Sequence, residues 1–347
     1  MRLLVTGGAG FIGSAFVRRR LAETDDEIVV LDKLTYAGGR DNLPPEGATA
    51  GGAARLRFVH GDIADAPLVE GLVTDTDAVL NFAAESHVDR SILAADDFLR
   101  TGVIGVHVLL EAVRAVGAAD GRSRRLVQVS TDEVYGSVEV GSSREGDPLA
   151  PRSPYAAAKA AGELLVQAYH VTHGLDTVIS RGANTYGPHQ HPEKLVPLFI
   201  TSALQDLPLP LYGDGLQRRD WLYVDDHADG IASVLAQGVA GGVYNLPGAG
   251  EQTNRSVTQA VLGQLDKPWS LVRRVPDRPG HDRRYAMDGT LAAALGWRPK
   301  IRFGDGIATT VAWYRDHEAW WRRRRDAAWD AYFERQYGQR LAESVEA

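Results

Sequence analysis

Short apolar runs recur along the first half of the chain, and each stops at a small or polar residue. Leu3-Leu4-Val5-Thr6, Glu27-Ile28-Val29-Val30-Leu31, Leu56-Arg57-Phe58-Val59-His60, Ala78-Val79-Leu80-Asn81-Phe82 and Arg125-Leu126-Val127-Gln128-Val129-Ser130 are rich in β-branched residues. Runs of this kind predict strands buried on both faces, as in a parallel sheet. Between them lie an amphipathic helix from Ile12 to about Glu23, a broadly apolar one from about Phe98 to Ala115, and one from Pro154 to about His173. Alternating strands and helices predict a doubly wound α/β fold. The stretch Gly38 to Ala54 is rich in Gly, Ala and Pro and reads as a surface loop.

In open α/β sheets, ligands gather beyond the carboxyl ends of the strands, so the residues there are the first candidates for chemistry. The first strand runs into Gly7-Gly8-Ala9-Gly10-Phe11-Ile12-Gly13 and then a helix. Gly7 permits a tight turn, Gly10 lets backbone amides approach a pyrophosphate, and Gly13 allows the helix to pack closely on the strand. The second strand ends in Asp32. A carboxylate there accepts hydrogen bonds from a ribose and repels a 2′-phosphate, so the cofactor expected is NAD rather than NADP. Asp62 follows the third strand, either to meet an adenine amino group or to start a helix. Small Ala83 and Ala84 after the fourth strand leave room for a cofactor, and His87 is placed either to reach a substrate or to make a structural hydrogen bond. The fifth strand opens into Thr131-Asp132-Glu133, two adjacent carboxylates at the mouth of a cleft. Tyr155 and Lys159, four apart, share one helix face. That spacing lets an ammonium lower a phenol's pKa and hold it as a base toward an alcohol.

Composition narrows the class. With 347 residues the chain is long for one compact unit, so two lobes are expected. A net charge of −7 argues against nucleic acid as a partner, while a few local Arg residues suffice for a phosphorylated small molecule. The absence of Cys excludes disulfides, thiol nucleophiles and thiolate metal sites, and none of the motifs asks for a metal. No signal-peptide pattern opens the sequence and no apolar run approaches membrane length, so a cytoplasmic enzyme with no membrane partner is expected.

Thr6-Gly7-Gly8-Ala9-Gly10-Phe11-Ile12-Gly13 with Tyr155-x-x-x-Lys159 resembles the extended short-chain dehydrogenase/reductase superfamily. Asp32 to Gly38, Ala83 to Ile92, Thr131 to Gly136, Pro192 to Leu195 and Arg219-Asp220-Trp221 resemble, more narrowly, the dTDP-glucose 4,6-dehydratase family, over about residues 1 to 321. The Asp132-Glu133 pair is the most specific part; related epimerases and decarboxylases usually lack it. The resemblance implies a Rossmann-like NAD domain over 1–180, with 221–236 packing back on it, a nucleotide-sugar-binding α/β lobe over 181–321, and a tail over 322–347. It implies that Tyr155, supported by Lys159 and Thr131, takes the proton of the sugar's 4-hydroxyl as hydride leaves carbon 4 for NAD. Glu133 then removes the proton on carbon 5, Asp132 protonates the departing 6-hydroxyl, and hydride returns to carbon 6.

By the same resemblance NAD is contacted by Gly7, Gly10, Phe11, Ile12, Gly13, Asp32, Lys33, Thr35, Asp62, Ile63, Ala83, Ala84, Thr101, Tyr155 and Lys159. A dTDP-hexose is contacted by Ser86, His87, Thr131, Asn184, Glu193, Lys194, Leu195, Pro210, Tyr212, Arg219, Asn254, Arg278, His281 and Tyr285. Arg219 and Arg278 suit a diphosphate because guanidinium offers bidentate geometry. The chain departs from the family pattern where Thr185 stands in place of a usual second Asn, at Gly182-Ala183, and in the turn Asn245-Leu246-Pro247-Gly248, which replaces the more usual Asn-Ile-Gly-Gly. The apolar faces of the helices near 98–115 and 154–173 suggest a homodimer through a helix bundle, or else packing within one chain. Arg322 to Arg325 and the aromatic stretch beyond them are read as a solvated helix docked by Trp329, Tyr332 and Phe333, with no chemistry assigned. The rival readings are a 4-epimerase or decarboxylase of the same superfamily, in which Asp132 and Glu133 have no matching roles, and a catalytically silent NAD-binding protein.

Overall fold

The computed structural model describes residues 1–45 and 55–346. Most of the second half of the expected Gly38–Ala54 loop lies outside the described residues; its first half holds a 3₁₀ turn at Arg40–Asn42.

Strands β1 (Arg2–Thr6), β2 (Glu27–Asp32), β3 (Leu56–His60), β4 (Ala78–Asn81), β5 (Arg125–Thr131), β6 (Thr177–Gly182) and a later strand, Val243–Leu246, form one seven-stranded sheet. Every pairing is parallel, and the order is Val243–Leu246, β6, β5, β4, β1, β2, β3. The winding reverses between β1 and β4, which opens a crevice at their carboxyl ends. Most of the sheet's buried side chains are apolar, and one buried polar row crosses it from β1 to β5. There Thr6 Oγ1 donates to Asn81 Oδ1 (2.7 Å), and Asn81 Nδ2 donates to Gln128 Oε1 (2.8 Å). Each member of the row is paired, which is the condition for burying it.

Helices α1 (Phe11–Glu23), α2 (Ala66–Thr74), α3 (Val88–Leu93), α4 (Asp96–Leu99), α5 (Val106–Asp120) and α6 (Pro154–His173) cover the sheet. A π-turn at Arg100–Gly105 makes α4 and α5 one continuous helical stretch, Asp96–Asp120. By length and composition that stretch could cross a membrane, contrary to the expectation that no apolar run approaches membrane length. Its apolarity is used inside this chain: Val106, Leu109, Leu110 and Val113 are buried in one core cluster with Val69 and Val73 of α2 and Val166 of α6. Contact with α6 is close because Gly162 faces Gly102, where a Cβ would lie 2.5 Å from the Gly102 carbonyl oxygen.

Beyond β6 the chain passes through β7 (Asn184–Tyr186), α7 (Leu195–Ala203), β8 (Leu209–Tyr212) and β9 (Arg218–Tyr223) into a second core built on Val196, Phe199, Trp221 and Tyr186. It then returns. Helix α8 (Val224–Gln237) buries Ile231 and Val234 with Phe16 and Val17 of α1. The return extends past residue 236, since β10 (Val243–Leu246) completes the edge of the large sheet. The C-terminal segment belongs to the second core: Trp320, Trp321, Trp329 and Tyr337 are buried there, and Val345–Glu346 pairs antiparallel with the strand Val272–Val275.

Candidate active site

Gly7 adopts φ +67°, and a Cβ on it would lie 2.5 Å from the Ala83 backbone nitrogen. A Cβ on Gly13 would lie 2.4 Å from the Gly7 carbonyl oxygen. Both positions require glycine, one for its left-handed backbone and both for close approach. The turn is pinned to the end of β2: Asp32 Oδ2 accepts from the Ala9 amide (2.9 Å) and Oδ1 from the Leu34 amide (2.8 Å). Burial raises the Asp32 pKa while these amides oppose the rise.

A long cleft starts at this turn. Gly7, Gly10, Phe11, Ile12 and Gly13 form its floor; Asp32, Lys33, Thr35, Asp62, Ile63, Ala83, Ala84 and Thr101 its walls; Ser86, Tyr155 and Lys159 its inner end. Lys33 Nζ donates to Thr101 Oγ1 (3.3 Å) and lies 3.5 Å from Glu85. Glu85, Gln190 and His191 also line this cleft and were not singled out from sequence.

At the inner end β5 stops at Thr131 and the chain turns through a 3₁₀ turn, Asp132–Tyr135. Thr131 Oγ1 accepts from the Glu133 amide (3.3 Å) and donates to Asp132 Oδ1 (3.1 Å). Helix α6 begins at Pro154, capped by Ser153, whose Oγ accepts from the Ala156 amide (3.1 Å). The cap and the proline fix the first turn and thereby aim Tyr155 at the carboxylates. Burial raises the phenol's pKa, and Glu133 and Asp132 add to the rise against a hydrogen bond with Thr131. This corrects the expectation that Lys159 lowers it within the chain. Lys159 Nζ donates instead to the Val129 carbonyl (2.5 Å), and burial lowers the ammonium to about 8.

The two carboxylates differ. Burial first, then the Glu133 charge, raises Asp132 well above the carboxylate range, and its Oδ2 is buried without a partner. Burial also raises Glu133, but Arg278, Arg219 and Lys194 pull it back. Adjacent acids held apart in this way can carry opposite protonation states.

A second cleft continues from Glu133 into the smaller lobe. His87, Asn184, Glu193, Lys194, Leu195, Pro210, Tyr212, Arg219, Asn254, Arg278 and His281 all line it. Asp132 and Thr131 are buried and line neither cleft. Tyr285 lies beneath Arg219, whose guanidinium sits 4.2 Å over the ring, and donates to Asp282 Oδ2 (2.6 Å). Asn184 Oδ1, Glu193 Oε1 and Trp221 Nε1 are buried and unpartnered. Such groups are costly unless a ligand satisfies them. His87 is fully enclosed, with ring contacts to the Glu193 carbonyl (3.3 Å) and Tyr332 (3.4 Å). Asp89, Trp221 and Tyr337 line this cleft without having been singled out. Asp89 and Trp221 stand inside motifs that carry the family resemblance; nothing near Tyr337 in sequence points to a site.

The departures at 182 and 185 form one local arrangement. A Cβ on Gly182 would lie 2.3 Å from the His227 ring, and Thr185 Oγ1 is 2.7 Å from His227 Nδ1. Gly182 makes room for the imidazole that Thr185 meets.

The GDP-mannose 4,6 dehydratase family model matches residues 4–310. The chain is 52% identical to dTDP-glucose 4,6-dehydratase of Streptomyces antibioticus over 92% of its length and 94% of that protein. It is 43% identical to dTDP-glucose 4,6-dehydratase 1 of Escherichia coli, over 97% and 99%. Among solved structures, DesIV of Streptomyces venezuelae, a dTDP-glucose 4,6-dehydratase with NAD bound, superposes with a TM-score of 0.87 at 53% identity, covering 93% of this chain and all of that one. UDP-glucose 4-epimerase of Thermus thermophilus gives 0.82 at 36% identity, covering 91% and 100%. The sheet and its glycine turn are common ground for both reactions, but the dehydratases match over as much of the chain at higher identity, and the chain belongs to the dTDP-glucose 4,6-dehydratase family.

Proposed function

We propose that the first cleft holds NAD and the second a dTDP-hexose, and that the chain converts dTDP-glucose to dTDP-4-keto-6-deoxyglucose. The observation that carries this is the Asp132–Glu133 pair at the end of β5, raised unequally, beside Tyr155 and behind a cleft rich in cations. The glycine cradle and the carboxylate of Asp32 suit a dinucleotide with a free 2′-hydroxyl.

Bound NAD supplies a hydride acceptor for carbon 4, a hydride donor for carbon 6 and, when oxidised, a positive charge. As the phenolate, Tyr155 takes the proton of the 4-hydroxyl, with Thr131 holding the phenol oxygen; a positive charge bound in the first cleft would offset the burial and the carboxylates that otherwise keep the phenol protonated. A ketone at carbon 4 acidifies carbon 5, and Glu133, the carboxylate closer to its ordinary range, removes that proton. Asp132, kept protonated by burial, delivers its proton to the leaving 6-hydroxyl. Glu133 then returns the proton to carbon 5. Lys194, Arg219, Arg278 and His281 bind the diphosphate, and Tyr212 and Pro210 border the base.

Turnover of dTDP-glucose in deuterated water tests the scheme. The expected product is a 4-keto-6-deoxy sugar with deuterium on carbon 5, and Glu133→Gln is expected to lower its formation by about 10²–10⁴-fold. Epimerised sugar without solvent deuterium would replace the dehydratase reading by the epimerase one; no turnover of any nucleotide sugar would favour the silent NAD-binding protein.

A homodimer through the outer faces of Asp96–Asp120 and α6, working in the cytoplasm, completes this reading. Leu99, Ile104, Leu164 and Val171 are exposed there, an apolar strip on two long helices. Ile104→Glu is expected to halve the mass measured by sedimentation; an unchanged mass would reject this face.

A further inference from the structure

We propose that Asp89 and Gln336 are positioning residues that preset Arg278 and Tyr212 for the nucleotide part of the substrate. The proposal rests on the reading of the second cleft as the nucleotide-sugar site.

Asp89 is the second residue of α3 and is buried. Its Oδ1 accepts from Arg278 Nη1 at 2.7 Å. Its Oδ2 accepts from the Tyr212 hydroxyl at 3.0 Å and from Gln336 Nε2 at 3.0 Å. Gln336 Nε2 also donates to the Tyr212 oxygen (2.7 Å), as does Arg340 Nη1 (3.0 Å). One carboxylate thus joins the substrate turn of the first lobe, two cleft residues of the second, and the C-terminal segment. Gln336 lies beyond the stretch that the family model covers, which ends at residue 310.

Neither Asp89 nor Gln336 needs to touch substrate to matter. A guanidinium presents five donors in a rigid fork, and fixing one edge of it aims the other edge. With Nη1 engaged by Asp89, the rest of Arg278 is turned by a buried anchor and not by chance rotamers. Tyr212 is fixed in the same way. Its hydroxyl donates to Asp89 and accepts from Gln336 and Arg340, so its ring holds one orientation beside Pro210. The same segment grips the neighbouring turn, since Arg90 lies 3.9 Å from the Tyr36 ring centroid and 4.1 Å from that of Tyr332.

Asp89→Asn keeps the shape but offers one carbonyl where three donors converge, and it sets an NH₂ against either Arg278 or the Gln336–Tyr212 end. Loss of the anchor outweighs the removal of a negative charge near the diphosphate, because one neutral carbonyl can hold either Arg278 or the Tyr212–Gln336 end but not both. In the NAD-loaded full chain, Asp89→Asn is expected to weaken dTDP binding by calorimetry and to raise KM for dTDP-glucose, each by about 10- to 100-fold, with kcat changed far less. Gln336→Ala, which carries no charge change, is expected to move both in the same direction by a smaller factor, and Gln336→Glu to weaken binding by repulsion with Asp89. In an Arg278→Ala background, Asp89→Asn is expected to add little, since it acts through that guanidinium. Unchanged dTDP affinity in both Asp89→Asn and Gln336→Ala, or full additivity with Arg278→Ala, would overturn the proposal. Should Asp89→Asn fail to fold, Gln336→Ala decides it by the same two readouts. Failure of the unaltered protein to bind dTDP would instead sink the reading of the cleft.

Discussion

Asp132→Asn is expected to lower dehydration by about 10²–10⁴-fold and, in the same protein, to raise the unfolding temperature at neutral pH. The first effect follows from the proton that the leaving 6-hydroxyl needs. Asn has no acidic proton to give, and water has no free path to a buried side chain that lines neither cleft. The second follows from burial. Asp132 Oδ2 has no partner, and desolvation together with the Glu133 charge holds the folded-state pKa well above the ordinary carboxylate value. A group whose pKa is raised on folding binds its proton more tightly in the folded state. Its penalty is therefore absent in acid, begins as pH rises through the unfolded carboxylate range near ~4, and grows until the folded pKa is reached. Each pKa unit of separation is worth about 1.4 kcal/mol.

The stability difference between Asp132→Asn and the unaltered chain should accordingly vanish near pH 4 and widen toward neutrality. Thermal denaturation across that range measures it, and a variant equally stable at both ends would show that Asp132 is not buried at a cost. Glu133→Gln should show the same trend more weakly, because Arg278, Arg219 and Lys194 already offset part of its burial. A site of this kind trades stability for a proton held ready.

Much of this geometry was legible in the sequence for a simple reason. Strands buried on both faces must be apolar throughout, so β1, β2, β4 and β5 stand out, and whatever follows them lies at the crevice. Strand β10 did not stand out: Val243-Tyr244-Asn245-Leu246 is short, and Asn245 looks like a turn residue until its side chain is seen accepting from Tyr135 and donating to Ser143. The Gln336–Asp89 bond spans 247 positions, and no local pattern encodes a contact of that separation. The direction of the Tyr155 shift was misjudged because spacing along a helix reports which side chains are neighbours but not how deeply they are buried. Here enclosure and two carboxylates raise the phenol, and the ammonium is committed to Val129.

Lys159→Met is expected to cost about 10²-fold or more in kcat/KM, on the scale of an acid–base assembly losing its charge, and to remove the alkaline fall in rate near pH 8. Burial lowers the Lys159 ammonium to about 8, so the unaltered enzyme should lose the positive charge at the inner end of the cleft as pH rises through that value. The sign for stability runs the other way. A base whose pKa is lowered on folding carries its full penalty below the folded pKa, and the penalty is relieved as pH climbs toward the unfolded value near 10.5. Methionine removes that penalty at neutral pH, but it also takes one donor from the Val129 carbonyl, which keeps Gln128 Nε2 (3.3 Å), at a cost of about 0.5–1.5 kcal/mol. The unfolding temperature at pH 7 should therefore change little while the activity collapses, and the two can be read on one preparation. Tyr155→Phe keeps the Lys159 bond to Val129 and should keep the structure, with activity lost to a similar or greater degree. An alkaline limb that persists unchanged in Lys159→Met would assign it to Asp132, whose proton is lost in the same direction, and would leave the lysine as a support for β5 alone.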